Sequence, residues 1–313
     1  MFPGALGDFV CFLPTLAALR ARHRGALLLC AKPALLELIQ RSDVLRASID
    51  RREVADVFVS GARASPAARR LFRGYEWVYS WTGFGNPHVA QRLTDLTGGC
   101  TRVYRFRGMA PGEHAVDYFA RCAGVIPCPS VEHFFADDTA WGGGFARQHG
   151  LLGPFLLAHA GSGSARKNWL GFDAAMRECR RRFGVPTVLL RGPVEVERQQ
   201  PECGADIVAD RLSLSQVVAL LRRGRCYLGN DSGISHLAGA TGAAGIVLFG
   251  PTDPAIWAPR SEHLRRLHAR VPCSRCGPDS FCVHRLSVAT VVDAVGAVLN
   301  SVGEVPVQGL GAN

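Results

Sequence analysis

Lysine is almost missing from this chain: of 36 basic residues only Lys32 and Lys167 are lysines. The charge is carried by arginine, with a formal net of +10. Each half, divided at residue 150, holds 18 basic and 13 acidic residues, so neither half is a basic tail. A spread positive charge favours anionic ligands as a class without choosing among them. Long apolar runs are absent too, and none approaches the length of a membrane span; any membrane contact would be made from the surface. The first ten residues include Asp8 and lack the basic start and apolar centre of a secretory signal, which leads us to expect a reducing cytoplasm and free thiols for the eleven cysteines. Low hydrophobicity, the mark of a disordered chain, is lacking as well: at 48% apolar residues over 313, the chain can bury a real core.

Strand-like apolar runs alternate with amphipathic helical stretches, the pattern of α/β layers on parallel sheets. In the first half "GALLLCA", "VADVFVS" and "YEWVYSW" read as strands, with "PALLELIQRS" and "SPAARRLFRG" as helices. In the second half "PFLLAHA", "PTVLLRG", "RCYLGN" and "GIVLFGP" read as strands, separated by helices in "GFDAAMRECRRRF", "LSQVVALLRRG" and "SHLAGATG". Between the halves lies the glycine-rich "DDTAWGGGFARQHGLLGP". The reading is two Rossmann-like domains facing across a cleft, over residues 1–148 and 149–300, with a tail at 301–313. The first domain reaches its small-residue turn almost at once, so its first strand is expected to be missing and the true start to lie upstream.

Three segments carry chemistry. "GNDSGISHLAGATGAAGIVLFGPTDP" ends a strand at residue 230 and offers Asp231 or Ser232 as a helix N-cap. The exposed N–H groups of such a helix head attract phosphate, and Gly233 keeps the turn bare. Asp231 suits a helix N–H or a sugar hydroxyl better than a phosphate, and His236 follows one turn on. A capped structural helix with a solvated histidine accounts for the same residues equally well. "HAGSGSARKNW" runs a strand into a Gly/Ser loop (Ser162, Gly163, Ser164) with Arg166 and Lys167, so backbone donors and cations arrive together. Its spacing is neither a P-loop nor G-x-G-x-x-G. "GALGDF" puts Asp8 at the head of a helix, where capping is the leading role and accepting a proton in a cleft the other.

Together, "GALGDFVCFLPTLAALR", "HAGSGSARKNW" and "GNDSGISHLAGATGAAGIVLFGPTDP" resemble the signature regions of glycosyltransferase family 9, the ADP-heptose:lipopolysaccharide heptosyltransferases, in the family's order and over residues 4 to about 295. The resemblance implies a GT-B fold with the acceptor on the N-terminal domain and an ADP-sugar on the C-terminal one. It implies inverting transfer without a metal or other cofactor, to a lipopolysaccharide inner-core acceptor at the cytoplasmic face of the inner membrane. By the same resemblance Asp8 is the general base, Lys167 contacts the donor diphosphate, and Asp231, Ser232, Gly233 and His236 grip the nucleotide and its phosphates. Ser162, Gly163 and Ser164 add phosphate donors, and an acidic residue of "RGPVEVERQ", Glu195 in preference to Glu197, takes the ribose. Another donor sugar, or a protein or other glycan acceptor, fits the family equally.

"CSRCGPDSFCVH" supplies Cys273, Cys276, Cys282 and His284, four residues of the types that ligate zinc. We assign no metal there: free thiols or loop structure are the simpler reading, although the related protein O-heptosyltransferases carry a cysteine-bound iron. Arg69, Arg70 and Arg73 read as a solvated helical face, and Trp81 and Phe84 as packing or an acceptor platform. A nucleotide- or nucleic-acid-binding protein without catalysis is the alternative of another class. No basic stripe interleaved with aromatics supports it, and no nucleic-acid partner is assigned.

Overall fold

The computed structural model describes residues 1–59, 63–136, 138–197, 203–269, 272–273 and 277–301, as backbone alone at 272–273 and 277–281. It is an α/β protein built on parallel sheets, in two compact units: Met1–Asp137 with Ala255–Trp257, and Asp138–Pro254 with Ala258–Asn313. The division falls at the start of the glycine-rich stretch on which the sequence reading had placed it. That run is helical over Thr139–Gln148 and packs on the Leu214–Arg223 helix. Gly142 is what allows the approach, since a Cβ there would lie 3.0 Å from the Ala219 Cβ. Residues 302–313, read as a tail, lie outside the described residues.

In the first unit β1 (Leu27–Ala31) pairs in parallel with β2 (Val44–Ser48), and β3 (Trp77–Ser80) with β4 (Cys100–Val103). Met1 and Phe2 join the two pairs: the Phe2 N–H donates to the Cys30 carbonyl at 2.8 Å, while Met1 donates to Tyr79 at 2.7 Å and accepts from the Trp81 N–H at 3.0 Å. The position of a first strand is thus held by two residues. Phe2 anchors it by stacking on Phe12 at 4.5 Å and meeting Phe9, Trp81, Phe106 and Phe119 edge-on or tilted. Burial of the Met1 amine lowers its pKa from the ordinary value. The expected strand "VADVFVS" is instead a helical turn, Arg52–Ala55, running into a 3-10 turn, Asp56–Phe58. Val54 and Val57 are both buried, a spacing of three that faces the core only when the backbone turns.

The second unit carries one parallel sheet of six strands: β5 (Leu156–His159), β6 (Thr187–Arg191), β7 (Ile207–Asp210), β8 (Cys226–Asn230), β9 (Gly245–Phe249) and β10 (Leu264–His268). In space the order runs β10-β9-β8-β5-β6-β7, the doubly wound Rossmann order, and it reverses direction between β5 and β8. The strands at the centre are buried along their whole length because helices cover both faces, and they are apolar but for Tyr227 and the residues at their carboxyl ends, His159 and Asn230. Gly245 is obligatory where β9 meets β8, since a Cβ would sit 2.1 Å from the Tyr227 carbonyl oxygen. Among the described residues no helix is long and apolar enough to cross a membrane.

Candidate functional site

In an open α/β sheet, ligands bind beyond the carboxyl ends of the strands at the point where the order reverses. In the second unit that point lies between the ends of β5 and β8. Beyond β5 runs the loop Ala160–Asn168, and beyond β8 stand Asp231 and the Gly233–Ala240 helix capped by Ser232. Asn230, fully buried, ties the two together: its amide donates to the Ala160 carbonyl at 2.7 Å and accepts from the Trp169 N–H at 3.1 Å, holding both ends of the loop.

Within the loop the Ser162 Oγ lies 2.7 Å from the Ser164 carbonyl and 2.6 Å from the Asn168 side-chain oxygen, and accepts the Ser164 N–H at 3.3 Å. One hydroxyl has one proton, so both contacts are satisfied when the Asn168 amide presents its NH₂ to Ser162. Ser162 therefore shapes the turn, while Gly163 stands in open space. A short 3-10 turn, Ala165–Lys167, then aims Lys167 at the head of the next helix. Its Nζ donates to the Asp231 carboxylate at 2.7 Å, with Asp231 5% and Lys167 30% exposed. At the helix head the Ser232 Oγ accepts the Ser235 N–H at 3.4 Å. His236 is buried one turn on.

Glu195, at the end of β6 in the turn of helix Pro193–Glu197, reaches the same place from the other side. Its carboxylate accepts the Gly192 N–H at 3.0 Å and rests against Gly161, where a Cβ would be 2.0 Å from the Glu195 Oε1. Glu197 is exposed. The structure thus gathers Ser162, Gly163, Ser164, Lys167, Glu195, Asp231, Ser232, Gly233 and His236 around one sheet end. It adds His159, which the sequence reading passed over: the last residue of β5, 5% exposed, with Nδ1 3.4 Å from the Ser232 Oγ. Burial pushes its imidazole below the ordinary value, and the nearby Glu195 charge offsets part of that. A histidine inside an apolar strand run, with its partners beyond other strands, leaves no local signal.

In the first unit Asp8 is buried at the third position of the Leu6–Arg22 helix, not at its N-cap, which is Ala5. The carboxylate reaches back to accept the Ala5 N–H at 3.3 Å and takes the Arg107 guanidinium at 3.3 Å on both oxygens. Arg107 is 61% exposed and lies over Phe106 and Trp257, at 5.7 and 5.4 Å from the ring centres. Trp81 is core, whereas Phe84 is exposed beneath Arg105. Arg69, Arg70 and Arg73 are all exposed at the Pro66–Phe72 helix.

Of the cysteine array, Cys276 lies outside the described residues and Cys273 is described only as strand backbone, whereas Cys282 is buried and His284 exposed. Among the described residues no three His, Cys, Asp or Glu side chains gather as a metal site.

Residues 143–280, which hold the whole constellation in the second unit, match the family model described as glycosyltransferase family 9 (heptosyltransferase). Comparison with curated proteins found no match. Among solved structures the chain is similar to a glycosyl transferase family 9 protein from Veillonella parvula (18% identity, 96% of each chain, TM-score 0.73). It is similar also to ADP-heptose LPS heptosyltransferase II of E. coli (16%, 96% of this chain and 98% of that one, TM-score 0.68) and to E. coli heptosyltransferase WaaC with ADP (19%, 95% and 100%, TM-score 0.64). At these identities the structural likenesses establish the fold, that of the heptosyltransferases. The family model lies over the loop, the lysine and the capped helix at the sheet's reversal point; over residues 143–280 the chain is similar to glycosyltransferase family 9, and this likeness together with the fold supports a glycosyltransferase.

Proposed function

We propose that this enzyme moves a heptose from ADP-heptose to an inner-core lipopolysaccharide acceptor, with inversion and without a metal. The observation that carries the donor half is the Lys167–Asp231 pair at the head of the Ser232-capped helix. An ammonium and a row of helix N–H groups meet there, where a doubly wound sheet receives a diphosphate. The bound ADP-heptose analogue of WaaC supports an ADP-sugar by family likeness.

In the transfer Asp8 takes the proton of the acceptor hydroxyl as that oxygen attacks the anomeric carbon. The bond to the β-phosphate breaks on the opposite face, placing negative charge on the departing diphosphate. Lys167 has three N–H donors and Asp231 takes one, so the remaining two serve the phosphate. The N–H groups at Ser232 and Gly233 add fixed positive potential. Glu195, packed on Gly161, offers a carboxylate to the ribose hydroxyls, and Arg107 orients the Asp8 carboxylate. Peripheral contact with the inner membrane would bring such an acceptor to the first unit.

A donor panel tests this reading. With ADP-heptose, ADP-glucose and UDP-sugars offered with and without a core acceptor, nucleoside diphosphate release should depend on both ADP-heptose and the core acceptor and persist in EDTA. Equal release from UDP-sugars would overturn the donor assignment, and release to a protein acceptor alone would overturn the glycan one.

A further inference from the structure

The transfer above leaves the buried imidazole of His159 unused, yet a count of protons around Ser232 gives it a role. The Ser235 hydroxyl donates to the Asn230 carbonyl, so its one proton is committed. Tyr227, buried and with its pKa raised by that burial, must then be the donor in its 3.0 Å contact with the Ser235 Oγ. Ser235 accordingly has no hydroxyl proton for Ser232, 3.4 Å away, and supplies its backbone N–H instead. Tyr227, the other hydroxyl bonded to Ser232, has likewise committed its proton, so of the partners of the Ser232 Oγ the His159 Nδ1 is the one that can change from acceptor to donor. In the neutral Nε2–H tautomer Nδ1 is unprotonated, and Ser232 spends its proton on the histidine. With Nδ1 protonated, Ser232 accepts from the ring, and its own proton turns outward at the helix head.

We propose that His159 takes up a proton when a nucleotide diphosphate-sugar binds, and so converts Ser232 from a donor to histidine into a donor to the ligand's phosphate. The inference rests on the donor site proposed above. Its electrostatics are consistent on every side of the ring. Glu195, from the turn after β6, favours the charged form, and a diphosphate at the helix head would add to that. Against it stands burial, while the Lys167 charge at the helix head is paired with the Asp231 carboxylate. His236 on the Gly233–Ala240 helix is a second buried imidazole near that helix head. In the free protein burial keeps His159 neutral near pH 7; the ligand's charge reverses the balance.

The test is calorimetric titration of ADP-glucose, whose two phosphates stay fully ionised between pH 6 and 8, in buffers of different ionisation enthalpy. We expect net proton uptake approaching one per ligand at the acid end, with affinity rising by at most about tenfold per pH unit lowered. His159→Gln, which keeps an N–H donor toward Ser232, should bind ADP-glucose with no uptake and a flat pH profile. Binding without uptake by the native enzyme, or equal uptake in His159→Gln, overturns the inference and leaves the functional reading standing. Failure of the folded native enzyme to bind ADP-glucose and ADP-heptose alike sinks both.

Discussion

Lys167→Ala lowers the rate of sugar transfer by about 10²–10³, the loss seen when a single donor to a developing negative charge is deleted, equivalent to about 3–4 kcal/mol of transition-state stabilisation. The structure adds a second effect that has to be separated from the first. Asp231 is nearly buried, and its carboxylate takes the Lys167 ammonium at 2.7 Å. Deleting the lysine leaves that charge stranded, at a cost of about 3–5 kcal/mol for a fully buried pair and less here because Lys167 is partly solvated. A damaged helix head would itself slow turnover. The double variant Lys167→Ala, Asp231→Asn distinguishes the two. It removes the stranded charge and should recover thermal stability, while turnover stays down because the phosphate still lacks its cation. Recovery of turnover together with stability would show that the lysine acts only through Asp231. Near-native turnover of Lys167→Ala alone would remove the lysine from the mechanism.

Asp8→Asn should reduce transfer by about 10²–10⁴, the range for loss of a positioned general base, and leave binding of the ADP-sugar within about twofold. Asparagine is the informative replacement because its side-chain oxygen can still accept the Ala5 N–H, so the helix start keeps its hydrogen bond. What goes is the charge that Arg107 faces and the capacity to take a proton. Single-turnover transfer and a direct measurement of donor affinity read the two quantities separately. A variant that transfers normally but melts early would return Asp8 to a purely structural role.

The residues of the proposed donor site could be singled out in the sequence because each announces itself locally. Lys167 follows a Gly/Ser loop after an apolar run, and Asp231, Ser232 and Gly233 sit where a strand must turn into a helix. The sequence could not reveal what binds these segments together, because those contacts join distant positions. Asn230 clasps Ala160 and Trp169 across the sheet, Glu195 settles on Gly161, and His159 meets Ser232 from a strand 73 positions away. Asp8 shows the limit at one helix turn. Small residues around it fixed where the helix begins only to within a residue or two, and the N-cap proved to be Ala5. The strand expected at "VADVFVS" failed for a related reason: a short apolar run fits a strand by composition and a helical turn by its valine spacing, and burial of Val54 with Val57 decided for the turn. At the N-terminus, where the first strand was expected to be missing, Met1 and Phe2 bond to both neighbours.

The scarcity of lysine gives the Lys167–Asp231 pair a practical side. An amine-acylating reagent finds two side-chain targets in the whole chain, the exposed Lys32 and the half-covered Lys167. Lys32 heads a short helix in the first unit and serves as an internal reference, so the ratio of two tagged peptides in a mass spectrum becomes a gauge of how full the nucleotide pocket is, with no substrate turned over.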